Sequence, residues 1–159
     1  MISRGRHRLV LLNGPTHVSA CRLRSAGFWK AVKQAGDGVS AHEEHVPFDT
    51  AEAATVAARL LAQRPRPDAI VCGSDTIASG VLDAARGLGL RVPEDVAVSG
   101  FDDRSFAAHT TPALTTVRMP LHDTGQAAAA MLFSMIGETP PATKRVILPT
   151  EIVIRASTP

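Results

Sequence analysis

Four short segments of this sequence carry side chains of the type and spacing that hold a small polar molecule. In the first, Arg24 follows an apolar run (Leu9–Leu12), a Gly14-Pro15 turn and the beginning of a helical pattern. A strand that turns into a helix delivers its next polar side chains to the edge where open α/β sheets bind ligands. The guanidinium is a planar fork of donors, suited to two vicinal hydroxyls or a carboxylate at once. A solvated helix arginine is the other role open to it. Arg22 lies in the same segment.

The second segment is Ser74-Asp75, placed between an apolar run (Ala69–Cys72) and a helical pattern. Asp75 is expected to cap the helix Thr76–Leu88. The third is Asp102-Asp103, after Gly100-Phe101 at the end of the apolar run Val96–Ser99. An ionised carboxylate only accepts hydrogen bonds, so Asp102 suits ligand hydroxyls or ring N–H groups. Asp103 is expected to cap a short turn or helix. The fourth is Phe48, in a strand-to-helix loop of a chain with five Phe, one Trp and no Tyr. Aromatic residues are scarce here, so one in such a loop stands out, although ordinary packing in the core or at the surface is a role open to it.

The elements that must position these groups alternate. Leu9–Leu12, Ala69–Cys72 and Val96–Ser99 are short continuous apolar runs, as expected of strands covered on both faces. Val39–Val46 reads as a polar strand. Between them Phe28, Ala31, Val32 and Ala35 recur at helical spacing. Thr50–Gln63 forms an amphipathic helix stopped by Pro65 and Pro67, and Thr76–Leu88 a helix ended by Gly89. Such alternation predicts βαβ units with right-handed crossovers and a parallel sheet. The end departs from it. Asp123–Ile136 carries an Ala/Met/Leu face and is stopped by Gly137 and Pro140-Pro141, before two strand candidates, Val146–Leu148 and Ile152–Ile154.

Composition bounds the rest. A chain of 159 residues is long enough for one domain with a real core, and 45% apolar with 20% charged residues argues against disorder. The 17 basic residues are spread out, except for Arg4–Arg8, which reads as a solvated, frayed terminus rather than a nucleic-acid contact. Cys21 and Cys72 have no zinc spacing, and a buried free thiol in a reducing compartment is expected of Cys72. No apolar run is long enough to span a membrane, and the opening segment lacks a secretory pattern. A cytoplasmic protein without membrane contact is expected.

Several chemistries find no support. Neither G-x-G-x-x-G after a strand nor a P-loop is present, and there is no nucleophile elbow. His42-Glu43-Glu44-His45 spaces its histidines three apart, whereas a helical zinc motif needs four. No cofactor, metal or catalytic residue is expected, and an enzyme reading has no nucleophile and base to rest on.

The segment Val92–Pro120, VPEDVAVSGFDDRSFAAHTTPALTTVRMP, resembles in order the effector-domain signature of the lac repressor-type (LacI/GalR) transcription regulators. Their pattern is V-P-x-D, a short strand, G-F/Y-D-D/N, then P-x-L-T-T-V-x-x-P. The resemblance covers Arg8 to Ser157 and implies an α/β fold. That fold is the doubly wound parallel sheet of the type I periplasmic-binding-protein-like class, two lobes joined by three crossings. On it, residues 1–113 make a C-terminal lobe, 114–145 a crossover strand and helix of the N-terminal lobe, and 146–159 the return strands. The headpiece, hinge and most of the N-terminal lobe are expected to be missing.

What the resemblance implies for function is a ligand-sensing fragment binding a small polar, sugar-like effector. Arg24 matches the family's effector-contacting Arg in R-x-x-G-F, and Asp102 its effector-binding Asp. Asp75 matches the acid of a usual Asn-Asp pair, in which this chain has Ser74 for Asn, and Phe48 stands where members place a stacking aromatic. Operator DNA would be reached only through the absent headpiece of a full-length homodimer. A periplasmic-type sugar-binding protein and an α/β enzyme acting on sugars or nucleotides are the alternatives. The uncovered Asp123–Ile136 face predicts a dimer or an exchange of segments between chains.

Overall fold

The computed structural model describes residues 1–136 and 145–158. Its body is a parallel sheet in the order β2-β1-β3-β4. The strands are β1 (Arg8–Asn13), β2 (Ser40–His45), β3 (Ala69–Cys72) and β4 (Ala97–Ser99). Between them run α1 (Ser19–Ala35), α2 (Thr50–Ala62) and α3 (Asp75–Gly87). The expected α/β doubly wound layer is therefore present, and Ala69–Cys72 is a strand with the bounds read from its apolar run.

Side-chain alternation divides the core in two. Val10, Leu12, Ile70 and Val98 join Leu60, Leu61, Ile77 and Val81 of α2 and α3 in one cluster. Leu9, Ala69 and Ala97 meet Phe28 and Val32 of α1 in another. Strand residues of alternating parity thus serve opposite faces, which is why the central strands read as unbroken apolar runs. Gly80 lets α2 and α3 approach closely: a β-carbon there would run into the Thr50 carbonyl and meet the Ala54 nitrogen at 2.8 Å. β2, at the sheet's edge, has no fully buried residue, in keeping with its polar sequence.

After β4 the chain passes a short 3-10 turn (Ser105–Ala108) and enters β5 (Thr116–Arg118). Bridges Ser99↔Thr115 and Asp102↔Arg118 lay β5 parallel beside the end of β4. β5 leads into α4 (Leu121–Ile136), and β6 (Glu151–Val153) returns antiparallel on β5. No residue of α4 is buried. Leu132, Phe133, Met135 and Ile136 are all exposed, as the reading of an uncovered face anticipated.

Some expectations are corrected. Val146–Leu148 forms no strand, and Gly137 and Pro140-Pro141 lie outside the described residues. The basic start is not frayed. Arg6 donates to the Pro93 carbonyl at 2.6 Å, and Arg8 pairs with Asp68 at 3.2 Å, because the backbone turns into β1 beside the loop that leads into β3.

Candidate ligand site

In parallel register, β1, β3 and β4 end together, Leu12 beside Cys72 and Val71 beside Ser99. Arg24 reaches this edge from the second turn of α1. Its Cζ sits 3.9 Å from the centroid of the Phe101 ring, and its Nη2 is 3.9 Å from Asp102 Oδ1. A guanidinium over an aromatic face is held by the ring quadrupole while its edge donors stay available. Its Nε is buried and has no hydrogen-bond partner among the described residues. An unpaired buried donor is a cost that a ligand oxygen would remove.

The loop carrying Asp102 is bent and pinned. Asp102 has φ 114° and Asp103 φ 53°, both in the region that side-chain-bearing residues rarely enter. Three successive amides secure the bend. Asp102 N donates to the Val117 carbonyl at 2.9 Å, Asp103 N to Thr116 Oγ1 at 3.3 Å, and Arg104 N to Asp75 Oδ2 at 2.7 Å. Strain held by several partners at a ligand edge is the pattern of a pre-organised contact. Burial lifts the Asp102 carboxyl above its ordinary pKa; Arg24 opposes the shift and Asp75 adds to it.

Asp75 and Ser74 exchange the roles expected of them. Ser74 caps α3, its Oγ accepting from Ile77 N at 3.2 Å, and Asp75 is the first helical residue. The Asp75 side chain is fully buried. Oδ1 accepts from Thr116 Oγ1 at 2.5 Å, Oδ2 accepts from Arg104 N, and Asp75 N donates to the Phe101 carbonyl at 2.8 Å. Burial outweighs these bonds and raises its pKa. Asp75 thus supports the Asp102 loop from beneath. Asp103 is not a cap either. The 3-10 turn has no side-chain cap, and the Asp103 carboxylate is taken up by Arg118 and Arg155, whose forks win over a local turn bond.

Phe48 lies apart from Arg24, its ring over Gly14 at the end of β1, where a β-carbon on Gly14 would collide with it. The side chain is half exposed, and Asp49 beside it caps α2 through Glu52 N at 2.9 Å. Arg22 is drawn back to the Thr16 and His17 carbonyls.

A polar network that sequence reasoning missed, running from the buried Asn13 out to the exposed Trp29, sets α1, and with it Arg24, against the edge strand. Asn13 Nδ2 donates to the Cys21 carbonyl at 2.9 Å and to Ser25 Oγ at 3.0 Å. Ser25 donates to Glu43, and Trp29 Nε1 donates to the same carboxylate at 2.7 Å. Burial would raise the Glu43 pKa, but the bonds from Ser25, Trp29 and Asn13 bring it below the ordinary value. The signal was available: Cys21, Ser25 and Trp29 are spaced i, i+4, i+8 on one helix face.

In His42-Glu43-Glu44-His45, residues three apart on a strand face opposite sides. His42 pairs with Glu44 at 2.9 Å, and His45 lies 3.4 Å from Glu43. Among the described residues no group of three or more His, Cys, Asp and Glu could hold a metal ion. Both cysteines are buried and free, and burial with the nearby Asp75 pushes the Cys72 thiol far up.

A groove of about 760 Å³ flanks the sheet beside α1. Leu9, Leu11, Phe28, Val32, Val71 and Ile152 line it, and Arg24 and Phe101 close one end. Its apolar walls do not suit a polar ligand. The polar edge at Arg24 and Asp102 does.

Comparison with known proteins bears on the family and the fold. A family model described as a periplasmic binding protein-like domain matches residues 1–158. The chain belongs to that family. Within it, the chain corresponds to the effector-binding part of LacI-type transcription regulators. It is 39% identical over 162 residues to the HTH-type transcriptional regulator MalR of Streptomyces coelicolor, covering 99% of this chain and 47% of that protein. It is 38% identical over 139 residues to the HTH-type transcriptional repressor PurR of Pectobacterium carotovorum, covering 86% and 40%. A LacI family transcriptional regulator from Arthrobacter, solved in complex with lactose, superposes with a TM-score of 0.86 at 28% identity, covering 99% of this chain and 60% of that one. The chain thus spans less than half the length of these curated relatives. No helix among the described residues is long and apolar enough to cross a membrane.

Proposed function

We propose that this chain is the ligand-sensing part of a LacI-type DNA-binding regulator, taking a small polar effector, a sugar or sugar derivative, at the Arg24–Asp102 edge. The observation that carries the reading is the Arg24 guanidinium, stacked on Phe101 with a buried donor unpaired and facing a carboxylate held on a φ 114° residue. Fork donors beside an accept-only carboxylate match adjacent hydroxyls, each of which both donates and accepts. The lactose complex of the Arthrobacter neighbour supports a sugar-like ligand.

In this reading Arg24 and Asp102 contact the effector, Phe48 flanks it from the end of β1, and Ser74 and Asp75 act by holding α3 and the Asp102 loop. Residues 1–113 form the C-terminal lobe, 114–145 cross into the N-terminal lobe, and 146–159 return. Effector bound between the lobes favours one of their relative orientations, by no more than its differential affinity for the two. In a full-length cytoplasmic homodimer that orientation sets the spacing of two headpieces and so operator affinity. Ligand is bound and released without turnover.

Thermal-shift screening against sugars, sugar phosphates and nucleobases tests this, with Arg24→Ala and Asp102→Ala as controls. A rise in Tm that both substitutions abolish is expected. A rise indifferent to both would remove the site assignment, and a nucleobase hit would replace the sugar reading.

A further inference from the structure

α4 hangs from the body by the two strands β5 and β6, and a single carboxylate ties both to the ligand loop. Asp103 Oδ2 accepts from Arg118 Nε on β5 at 2.7 Å. Its Oδ1 accepts from Arg155 Nη2, just past β6, also at 2.7 Å. Arg155 continues inward, donating from Nη1 to the Leu114 carbonyl at 2.8 Å and from its backbone N to Thr115 Oγ1 at 2.8 Å. Arg118 Nη1 reaches across to Glu151 at 3.1 Å. The Asp103 side chain is only 9% exposed and Arg155 17%, so the bond between them acts largely out of water, whereas Arg118 is 49% exposed.

We infer that Asp103 is a latch: it fixes the β5–β6 ribbon, and α4 beyond it, to the loop whose preceding residue, Asp102, faces Arg24. The geometry divides the labour of the acid pair. Consecutive left-handed residues send one carboxylate to the ligand edge and the other to the ribbon, so a shift in one is felt by its neighbour through a single peptide. Asp103 is a positioning residue, not a ligand contact. It is the physical connection by which occupancy of the edge would reach the strands that leave the body. That consequence rests on the sensing function proposed above; the latch itself does not, and is tested without ligand.

The experiment is residue-resolved amide hydrogen exchange on the full chain, wild type against Asp103→Asn and Arg118→Gln. Asparagine keeps the shape of Asp103 but turns an N–H₂ toward one guanidinium and leaves Arg155 uncompensated. Exchange at Thr116, Arg118, Glu151 and Val153, the residues of β5 and β6 that face each other in the ladder, should rise by about tenfold or more in Asp103→Asn, with Val10, Leu12 and Ile70 within about twofold of wild type. Arg118→Gln, which keeps the more buried Arg155 pair, should give a smaller rise confined to the same four amides. No rise in the ribbon, or a rise shared equally by the central strands, would overturn the latch. A ribbon that loosens as expected while Arg24→Ala leaves every ligand response intact would retain the latch and reject the sensing site.

Discussion

Asp75 Oδ1 stands where a β-carbon on residue 100 would have to go, with Asp75 Cα at 3.2 Å and Leu114 Cδ2 at 3.0 Å closing the same space. The glycine of the Gly100-Phe101-Asp102-Asp103 run is therefore there for close approach. It admits the buried carboxylate that holds Thr116 and Arg104, and through them the ligand loop.

Gly100→Ala should destabilise the chain by about 2–3 kcal/mol, because a buried carboxylate held by two hydrogen bonds, rather than a flexible tip, must yield. Asp75→Ala should cost about 2 kcal/mol or more, by leaving the Thr116 hydroxyl and the Arg104 N–H without their acceptor. Urea unfolding of both variants checks this. A midpoint unchanged by Asp75→Ala would show that its bonds are not needed.

Replacing Arg24 by Met should separate stability from binding. The buried Nε has no partner among the described residues, so an apolar side chain of similar length should leave Tm unchanged or raise it by about 2 °C. The same variant should lose the ligand-induced shift entirely. A large fall in Tm would mean that the stacking on Phe101 holds α1 in place.

The pKa values of the acid pair are shifted in opposite directions, so both contributions should be lost as pH falls, but in different windows. The pKa of Asp102 is raised by burial, so its ionised, hydroxyl-accepting form is lost sooner than an ordinary aspartate's as pH falls. Ligand affinity should drop as pH falls through this raised value, and Asp102→Asn should flatten the profile in calorimetric titration. Burial also acts on Asp103, but the bonds from Arg155 and Arg118 prevail and depress its pKa. Its contribution to stability is complete above the ordinary 3.8 and is lost as pH falls through the depressed folded value. Stability in that acid window should be less pH-dependent in Asp103→Asn than in wild type.

α4 presents Leu132, Phe133, Met135 and Ile136 to solvent, with Ile152 and Ile154 exposed on the returning segment. Contiguous apolar surface of this kind drives association. The chain alone should sediment as a dimer or larger, and Phe133→Lys combined with Ile136→Lys should shift it toward monomer. A monodisperse wild-type monomer at high concentration would count against association through this helix.

The unbroken apolar runs and the i, i+3, i+4 patterns placed the central strands and α2, α3 and α4 within a residue or two, whereas for α1 they marked only Phe28–Ala35 of a helix that begins at Ser19. Burial on both faces of a parallel sheet leaves that mark on local sequence. The resemblance of Val92–Pro120 to a known signature supplied the family and pointed to Arg24 and Asp102, which the fold brings within 3.9 Å of each other. Local sequence could not say which of two adjacent acids, or which of Ser74 and Asp75, does what. Asp103 takes its partners 15 and 52 residues away, and Asp75 takes Thr116 from 41 residues away. Each choice was made by long-range donors that meet the carboxylate only after β5 and β6 have been laid beside β4. Local capping preferences are worth about 1 kcal/mol, and a sheltered guanidinium–carboxylate bond exceeds that. Strand and helix were therefore written in the chain itself, whereas the division of labour between Asp102 and Asp103 was decided by the tertiary structure.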